Sequence, residues 1–142
     1  MKRLWRACAV VGLAAATTAA VAALHDGEVL AARDAFRVGN QAKLVALQKS
    51  VHGHVLAVYV DYWAARVRLD TLTAADVAAF QRRWPESFVA ERLRLDWVKL
   101  LGKRQQWAQA AQAYATLEAP DQDATCYQLQ SRLVAKDEAA PP

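Results

Sequence analysis

The stretch SFVAERLRLDWVKLLG, residues 87–102, decides the fold class. Its large apolar residues recur at intervals of three or four positions, the spacing of one face of an α-helix. Ser87 has the side chain of an N-cap residue, and Gly102 is expected to end the helix as a C-cap. The predicted inward face consists of Val89, Leu93, Trp97 and Leu100.

The charged residues of this helix alternate in sign at helical spacing. Arg92 with Asp96, and Asp96 with Lys99, are three or four positions apart, as expected of ion pairs on a solvated helix face.

Turn and capping signals divide the rest of the chain into further helices. Gly39-Asn40 closes the first helix, and His52-Gly53-His54 stops the second. Thr73 with Asp76 resembles a capping box. Pro85 and Pro120 end helices, and Asp121 or Asp123 caps the last one. The predicted inward residues are Val29, Ala32, Phe36, Leu44, Leu47, Val51, Val77, Phe80, Trp84, Trp107, Ala110 or Ala111, Tyr114, Leu117, Cys126, Leu129 and Leu133.

One segment, VLAVYVDYWAARVRLD (residues 55–70), is rich in the valine and tyrosine typical of strands. Its length and its Ala64-Ala65 centre favour a buried helix. We therefore predict an all-α fold. The segment AFRVGNQAKLVAL (35–47) is faintly repeated by VKLLGKRQQWAQA (98–110), so we expect the helices to form an irregular α-superhelix of stacked helical hairpins. The final helix of such a solenoid is expected to expose an apolar flank.

The N-terminus has the layout of a secretory signal peptide: a basic start, a short apolar run and small residues before a cleavage site. We predict a signal peptide over residues 1–22, a helical-repeat domain over 23–136 and a loose tail over 137–142. Cleavage after Ala22 implies a secreted protein without a membrane anchor. Cys8 comes too early for lipid attachment, before an apolar run has been built, and is expected to leave with the signal.

Removing the signal changes the charge of the chain. Three of its 18 basic residues leave, so 15 remain against 14 acidic residues. A chain of near-neutral charge argues against a nucleic-acid partner. Cys126 becomes the single cysteine. It is expected to be buried as a small apolar residue, with a partner in missing sequence as the alternative.

No residue pattern predicts a metal or cofactor site. His52 and His54 lie two positions apart in a turn, and with His25 they lack the ligand spacing of a metal centre. Aromatic residues could form platforms for sugar rings, but their helical spacing favours packing, so at most Trp63 or Tyr127 is expected to be exposed.

Three segments carry a family resemblance: YVDYWAARVRLD, FQRRWPESFVAERLRLDWVKLLGKRQQW and CYQLQSRL. In order and spacing, they resemble the N-terminal superhelical U-shaped domain of bacterial soluble lytic murein transglycosylases. The likeness spans about residues 29–133. It implies a periplasmic α-superhelix that forms part of a ring around peptidoglycan glycan strands.

In that family, a separate lysozyme-like domain cleaves the bond between N-acetylmuramic acid and N-acetylglucosamine and leaves a 1,6-anhydro product. Its marks are a Glu-Ser pair and a downstream Gly-Leu-Met-Gln, and this chain has no Gly-Leu-Met-Gln. No catalytic residue is therefore carried over. Glu86-Ser87 aligns with a helix junction, and Glu86 before a helix N-terminus is in surroundings that favour its charged form rather than the protonated form of a general acid. Glu86→Gln is expected to leave any glycan binding unchanged.

Two functions remain open at this point. The first is a non-catalytic segment of a lytic transglycosylase, with glycan strands and a separate catalytic domain as partners. The second is a stand-alone helical-repeat adaptor that binds another envelope protein.

Overall fold

A computed structural model of the chain describes residues 26–85 and 87–136. All regular secondary structure in these residues is helical, which confirms the all-α prediction. The predicted signal peptide, the tail at 137–142, His25 and Glu86 lie outside the described residues. No helix in the described part of the chain is long and apolar enough to span a membrane.

The described helices follow one another with short connections. Helix α1 covers residues 26–37. It is followed by α2 (Gln41–Ser50), α3 (Ala57–Val67), a 3-10 helix (Leu69–Thr71), α4 (Ala74–Arg83), α5 (Phe88–Lys103), α6 (Trp107–Tyr114) and α7 (Gln122–Val134). The chain forms two compact units, the first ending at Ala64 and the second beginning at Ala65, within α3.

In the first unit, a Schellman motif joins α1 to α2. Gly39 has a φ of +68°, and its N–H donates to the Phe36 carbonyl at 3.0 Å while the Asn40 N–H donates to the Ala35 carbonyl at 2.8 Å. Asn40 also caps α2, because its side chain accepts a hydrogen bond from the Lys43 N–H at 3.0 Å. The core of this unit includes Val29, Ala32, Leu44, Val51, Ala57 and Val60.

In the second unit, α4 and α5 begin at the predicted caps. Thr73 and Asp76 form a full capping box: the Thr73 N–H donates to Asp76 Oδ2 at 2.9 Å, and the Asp76 N–H donates to Thr73 Oγ1 at 3.2 Å. The Ser87 hydroxyl accepts from the Ala90 N–H at 3.1 Å. Helix α5 packs against α4, α6 and α7 and is the centre of this unit. Its buried apolar residues are Val89, Ala90, Leu93, Leu95, Trp97, Val98 and Leu101.

Gly102 does not end α5, and the prediction of a glycine C-cap is wrong there. The helix continues to Lys103, and Gln105 takes the left-handed conformation with a φ of +57°. A Cβ on Gly102 would lie 2.3 Å from Cγ of Tyr127. The glycine is needed because α7 approaches α5 closely at this point.

Helix α6 is shorter than predicted. It ends at Tyr114, and the Leu117 N–H donates to the Tyr114 carbonyl at 3.0 Å in the turn that follows. Leu117 still packs against Leu95, Val98 and Ala124 without being helical.

Helix α7 presents a different face to the core from the one predicted. Cys126 is exposed and Leu133 is 59% exposed, whereas Ala124 and Ser131 are buried. The reason is packing: Tyr127 fills the space over Gly102, and Ala124 and Ser131 lie on the same side of the helix as Tyr127. Leu133 and Val134 form the expected exposed apolar flank of the last helix.

The prediction that Asp96 lies on a solvated face of α5 is also wrong. Asp96 is 8% exposed, and its carboxylate pairs with Nε of Arg66 at 3.1 Å. Lys99 reaches from α5 to the start of α7, where its Nζ lies 2.5 Å from Asp121 Oδ2 and 3.3 Å from Asp123 Oδ2. These charges therefore fix contacts between elements of the second unit.

Candidate functional site

The second unit contains a cleft with a volume of about 560 Å³, between α4, α5 and α6. This volume falls within the range of roughly 300–1,000 Å³ that is usual for ligand pockets. The lining residues come from the start of α4, the middle of α5 and one face of α6. They are Leu72, Thr73, Ala74, Val77, Ala78, Gln81, Arg94, Trp97, Leu101, Arg104, Gln106, Gln109, Gln112, Ala113 and Thr116.

The floor of the cleft is mainly aliphatic. Leu72, Val77 and Leu101 are all buried in the core of the unit and line the cleft with their remaining surface. Trp97 also lines it but is only 9% exposed. The floor therefore exposes little of either its aliphatic side chains or the Trp97 ring.

Four glutamines line the cleft: Gln81 on α4, Gln106 at the N-cap of α6, and Gln109 and Gln112 on α6. None of their side-chain amides is hydrogen-bonded to another group in the described part of the chain. Each amide can both donate and accept hydrogen bonds. The residues on α6 are exposed, so these groups are available to a ligand.

The two arginines that line the cleft are already paired. Arg94 lies 2.6 Å from Glu91 Oε2 and 3.1 Å from Glu118 Oε1. Arg104 donates to the backbone carbonyl of Asp70 at 2.9 Å and lies 3.3 Å from its carboxylate. The cleft consequently has no uncompensated positive charge to attract an anion.

The described residues that line the cleft include no carboxylate, imidazole or thiol. These are the usual general acids, bases and nucleophiles of enzymes. Besides the paired arginines, the cleft presents the glutamine amides, the hydroxyl groups of Thr73 and Thr116, and apolar surface. Such a lining suits binding.

A second candidate surface lies in the first unit, where Phe36, Tyr59 and Trp63 form an aromatic surface. The rings of Phe36 and Trp63 are stacked, with centroids 6.0 Å apart and planes 16° apart. Tyr59 is tilted against Trp63 at 6.3 Å and is 41% exposed. The expectation for single exposed aromatics is therefore corrected: Tyr59 is exposed, while Trp63 and Tyr127 are half-buried.

Of the two histidines of the predicted turn, only His54 makes hydrogen bonds within the described part of the chain. His54 Nε2 lies 2.9 Å from Asp26 Oδ1, and its Nδ1 accepts from the Leu56 N–H at 3.0 Å. Both ring nitrogens are thus engaged, and the geometry fixes the tautomer protonated on Nε2. His52 is exposed, and no group of three or more potential ligands to a metal ion occurs among the described residues.

Sequence reasoning missed the cleft. Its only linear sign is the glutamine row in QQWAQAAQAY, residues 105–114, where Gln106, Gln109 and Gln112 recur every third position. Ser87 of the Glu86-Ser87 pair is an N-cap, as predicted, and Glu86 lies outside the described residues. Cys126, expected to be buried, is exposed and has no disulfide partner in the described residues.

No protein-family model, curated protein or solved structure matches this chain. The resemblance to the superhelical domain of lytic transglycosylases therefore stays a prediction.

Proposed function

We propose that this chain is a non-catalytic, periplasmic helical-repeat segment that binds the glycan strands of peptidoglycan. In this proposal it is secreted with cleavage after Ala22, and its helical hairpins belong to an irregular superhelix like that of the transglycosylases it resembles. Catalysis, where it occurs, resides in a separate domain or protein.

The aromatic surface formed by Phe36, Tyr59 and Trp63 carries the glycan-binding proposal. The C–H faces of a sugar ring pack well against aromatic rings, and exposed rings are the usual contact for a neutral sugar. Tyr59 is exposed to solvent, and its ring contacts that of Trp63, which is itself stacked on Phe36. The contact with Trp63 restricts the orientations of the Tyr59 ring, and a restricted ring loses less entropy on binding.

The cleft in the second unit supports the non-catalytic part of the proposal. Cleavage of a glycosidic bond needs at least one carboxyl group that can protonate the leaving oxygen. The described residues that line the cleft supply no such group. The carboxylates nearest to its arginines, Glu91 and Asp70, are occupied by ion pairs.

The test is retention of the purified chain on insoluble peptidoglycan sacculi. Wild-type protein is expected to sediment with sacculi, and Tyr59→Ala is expected to lower the retained fraction at least severalfold. Phe88→Ala is the matched control, because Phe88 is 80% exposed but lies in the other unit. Equal retention of the Tyr59 and Phe88 variants would refute the assignment of the aromatic surface.

The adaptor that binds another envelope protein is the second candidate function. The observation that favours it is the row of exposed glutamine amides along the cleft, which can donate and accept hydrogen bonds with a polypeptide main chain. If the chain does not sediment with sacculi but binds an envelope protein, this function is established in place of the first.

A further inference from the structure

Helix α7 packs against α5 and α6 with the face that contains Ala124, Tyr127 and Ser131. These residues recur at intervals of three and four positions, so they lie on one side of the helix. A second set with the same spacing begins two positions later, and two positions correspond to about 200° around a helix. The second set therefore lies on the opposite face of α7.

This second set consists of Cys126, Leu129 and Leu133 and is termed the outer stripe of α7. Cys126 is exposed, Leu129 is half-buried and Leu133 is 59% exposed. Apolar residues at positions i, i+3 and i+7 form the seam of a two-helix coiled coil. The outer stripe thus has the spacing with which one helix packs lengthwise against another.

The charges at the two ends of the outer stripe indicate what it packs against. Asp123 lies one turn before Cys126, and its side chain is 73% exposed although one of its oxygens lies 3.3 Å from Nζ of Lys99. Lys136 is exposed and follows the other end, where its N–H donates to the Leu133 carbonyl at 3.0 Å. Because one end is acidic and the other basic, the stripe is complementary to a second copy of itself that runs in the opposite direction. A parallel pair would instead bring like charges together at both ends.

We propose that the outer stripe of α7 is the contact between two copies of this chain, which pack antiparallel about a twofold axis. Leu129 of each copy lies against Leu133 of the other, and Lys136 of each copy lies beside the first turn of α7 in the other, where Asp123 is found. Arg132, next to Leu133 in the chain, is half-buried and already has a partner, so it does not face the second copy as a free charge. Because one short helix from each copy forms the contact, the dimer is expected to be weak.

This inference goes beyond the proposed glycan binding and does not depend on it. The outer stripe belongs to the second unit, whereas the glycan-binding proposal rests on Phe36, Tyr59 and Trp63 of the first. A different protein is the other possible occupant of the outer stripe, and in that case the pure chain stays monomeric.

Sedimentation equilibrium of the full chain, under reducing conditions that prevent a disulfide between Cys126 side chains, tests the proposal. Between about 10 μM and about 1 mM, the wild-type chain is expected to show a monomer–dimer equilibrium. Leu133→Glu is expected to raise the dimer Kd at least about tenfold, because it buries a charge in the contact. Phe88→Glu is the matched control, since Phe88 is an exposed apolar residue of the same unit, and it should leave the Kd unchanged.

A charge exchange then tests the antiparallel orientation. Asp123→Lys and Lys136→Asp should each raise the Kd at least about threefold, because each replaces attraction by repulsion at both ends of the dimer. The double variant Asp123→Lys/Lys136→Asp should restore the Kd to within about twofold of the wild-type value. Circular dichroism checks that each variant keeps its helices, as expected of changes at exposed positions. A wild-type chain that is monomeric over the whole range, an unchanged Kd in Leu133→Glu, or no recovery in the double variant would each overturn the proposal.

Discussion

Gly102→Ala tests the packing of α5 against α7 most sharply. The Cβ that alanine adds would lie 2.3 Å from Cγ, 2.4 Å from Cδ1 and 2.9 Å from Cβ of Tyr127. Rotation of the Tyr127 side chain could move its ring, but its Cβ is fixed to the backbone of α7. The two helices must therefore separate by several tenths of an ångström.

Two opposing contributions set the size of the effect. Alanine is a better helix former than glycine by about 1 kcal/mol, which favours the variant. Inserting a methyl group into a packed contact usually costs about 1–3 kcal/mol, and the short distances here place the cost at the upper end. The free energy of unfolding should fall by about 1–2 kcal/mol, which lowers the urea midpoint by roughly 0.5–1 M.

Urea unfolding followed by circular dichroism measures this change. Gly27→Ala is the matched control, because a Cβ there would contact nothing within 4 Å, and it should be neutral or stabilising. In a Tyr127→Ala background the sign should reverse, and Gly102→Ala should then stabilise the chain by up to about 1 kcal/mol. If Gly102→Ala stabilises the otherwise wild-type chain, the close contact with Tyr127 does not exist.

Three further predictions concern local interactions of the second unit. The hydrogen bond to Asp121 raises the pKa of Lys99 despite partial burial. The contribution of charged Lys99 to the stability of the fold is therefore complete below pH 10.5 and is lost as the pH rises through the raised pKa. Burial alone would raise the pKa of Asp121, but the hydrogen bonds from Lys99 and the Ala124 N–H lower it overall, so its contribution is present above about pH 4 and is lost at lower pH. Lys99→Met should flatten the alkaline limb of a plot of stability against pH, and an unchanged limb would contradict the ion pair. Thr73→Ala should lower the unfolding free energy by about 1 kcal/mol in urea titrations, since it removes the capping box; a loss below about 0.3 kcal/mol would show that the box does not form. Cys126 should react with a thiol reagent in the native chain, as located by mass spectrometry, and protection until unfolding would place it in the core.

The features that could be predicted from the sequence are those set by a few neighbouring residues. Thr73 with Asp76, Ser87 and Asp121 each cap a helix by bonding to an N–H three positions away, so the residues involved lie side by side in the chain. The left-handed turn at Gly39 is equally local. Helix existence followed from these signals together with the 3.6-residue apolar period.

The features that escaped prediction depend on partners far along the chain. Gly102 resembled a helix stop, and only the position of Tyr127 on α7 shows why a glycine is needed inside α5. The same contact turns Cys126 outward although its neighbours suggested an apolar face. The glutamines of the cleft form a row in the sequence, but the cleft itself depends on α4 lying opposite α6, which no local pattern encodes.

The most direct test of glycan binding without catalysis is incubation of the pure chain with peptidoglycan sacculi, followed by sedimentation and analysis of the released muropeptides. The proposed function predicts that the chain is retained on the sacculi, that Tyr59→Ala lowers the retention, and that no 1,6-anhydro-muropeptides are released. Release of anhydro-muropeptides by the pure chain, or failure of the wild-type chain to sediment with sacculi, would contradict it.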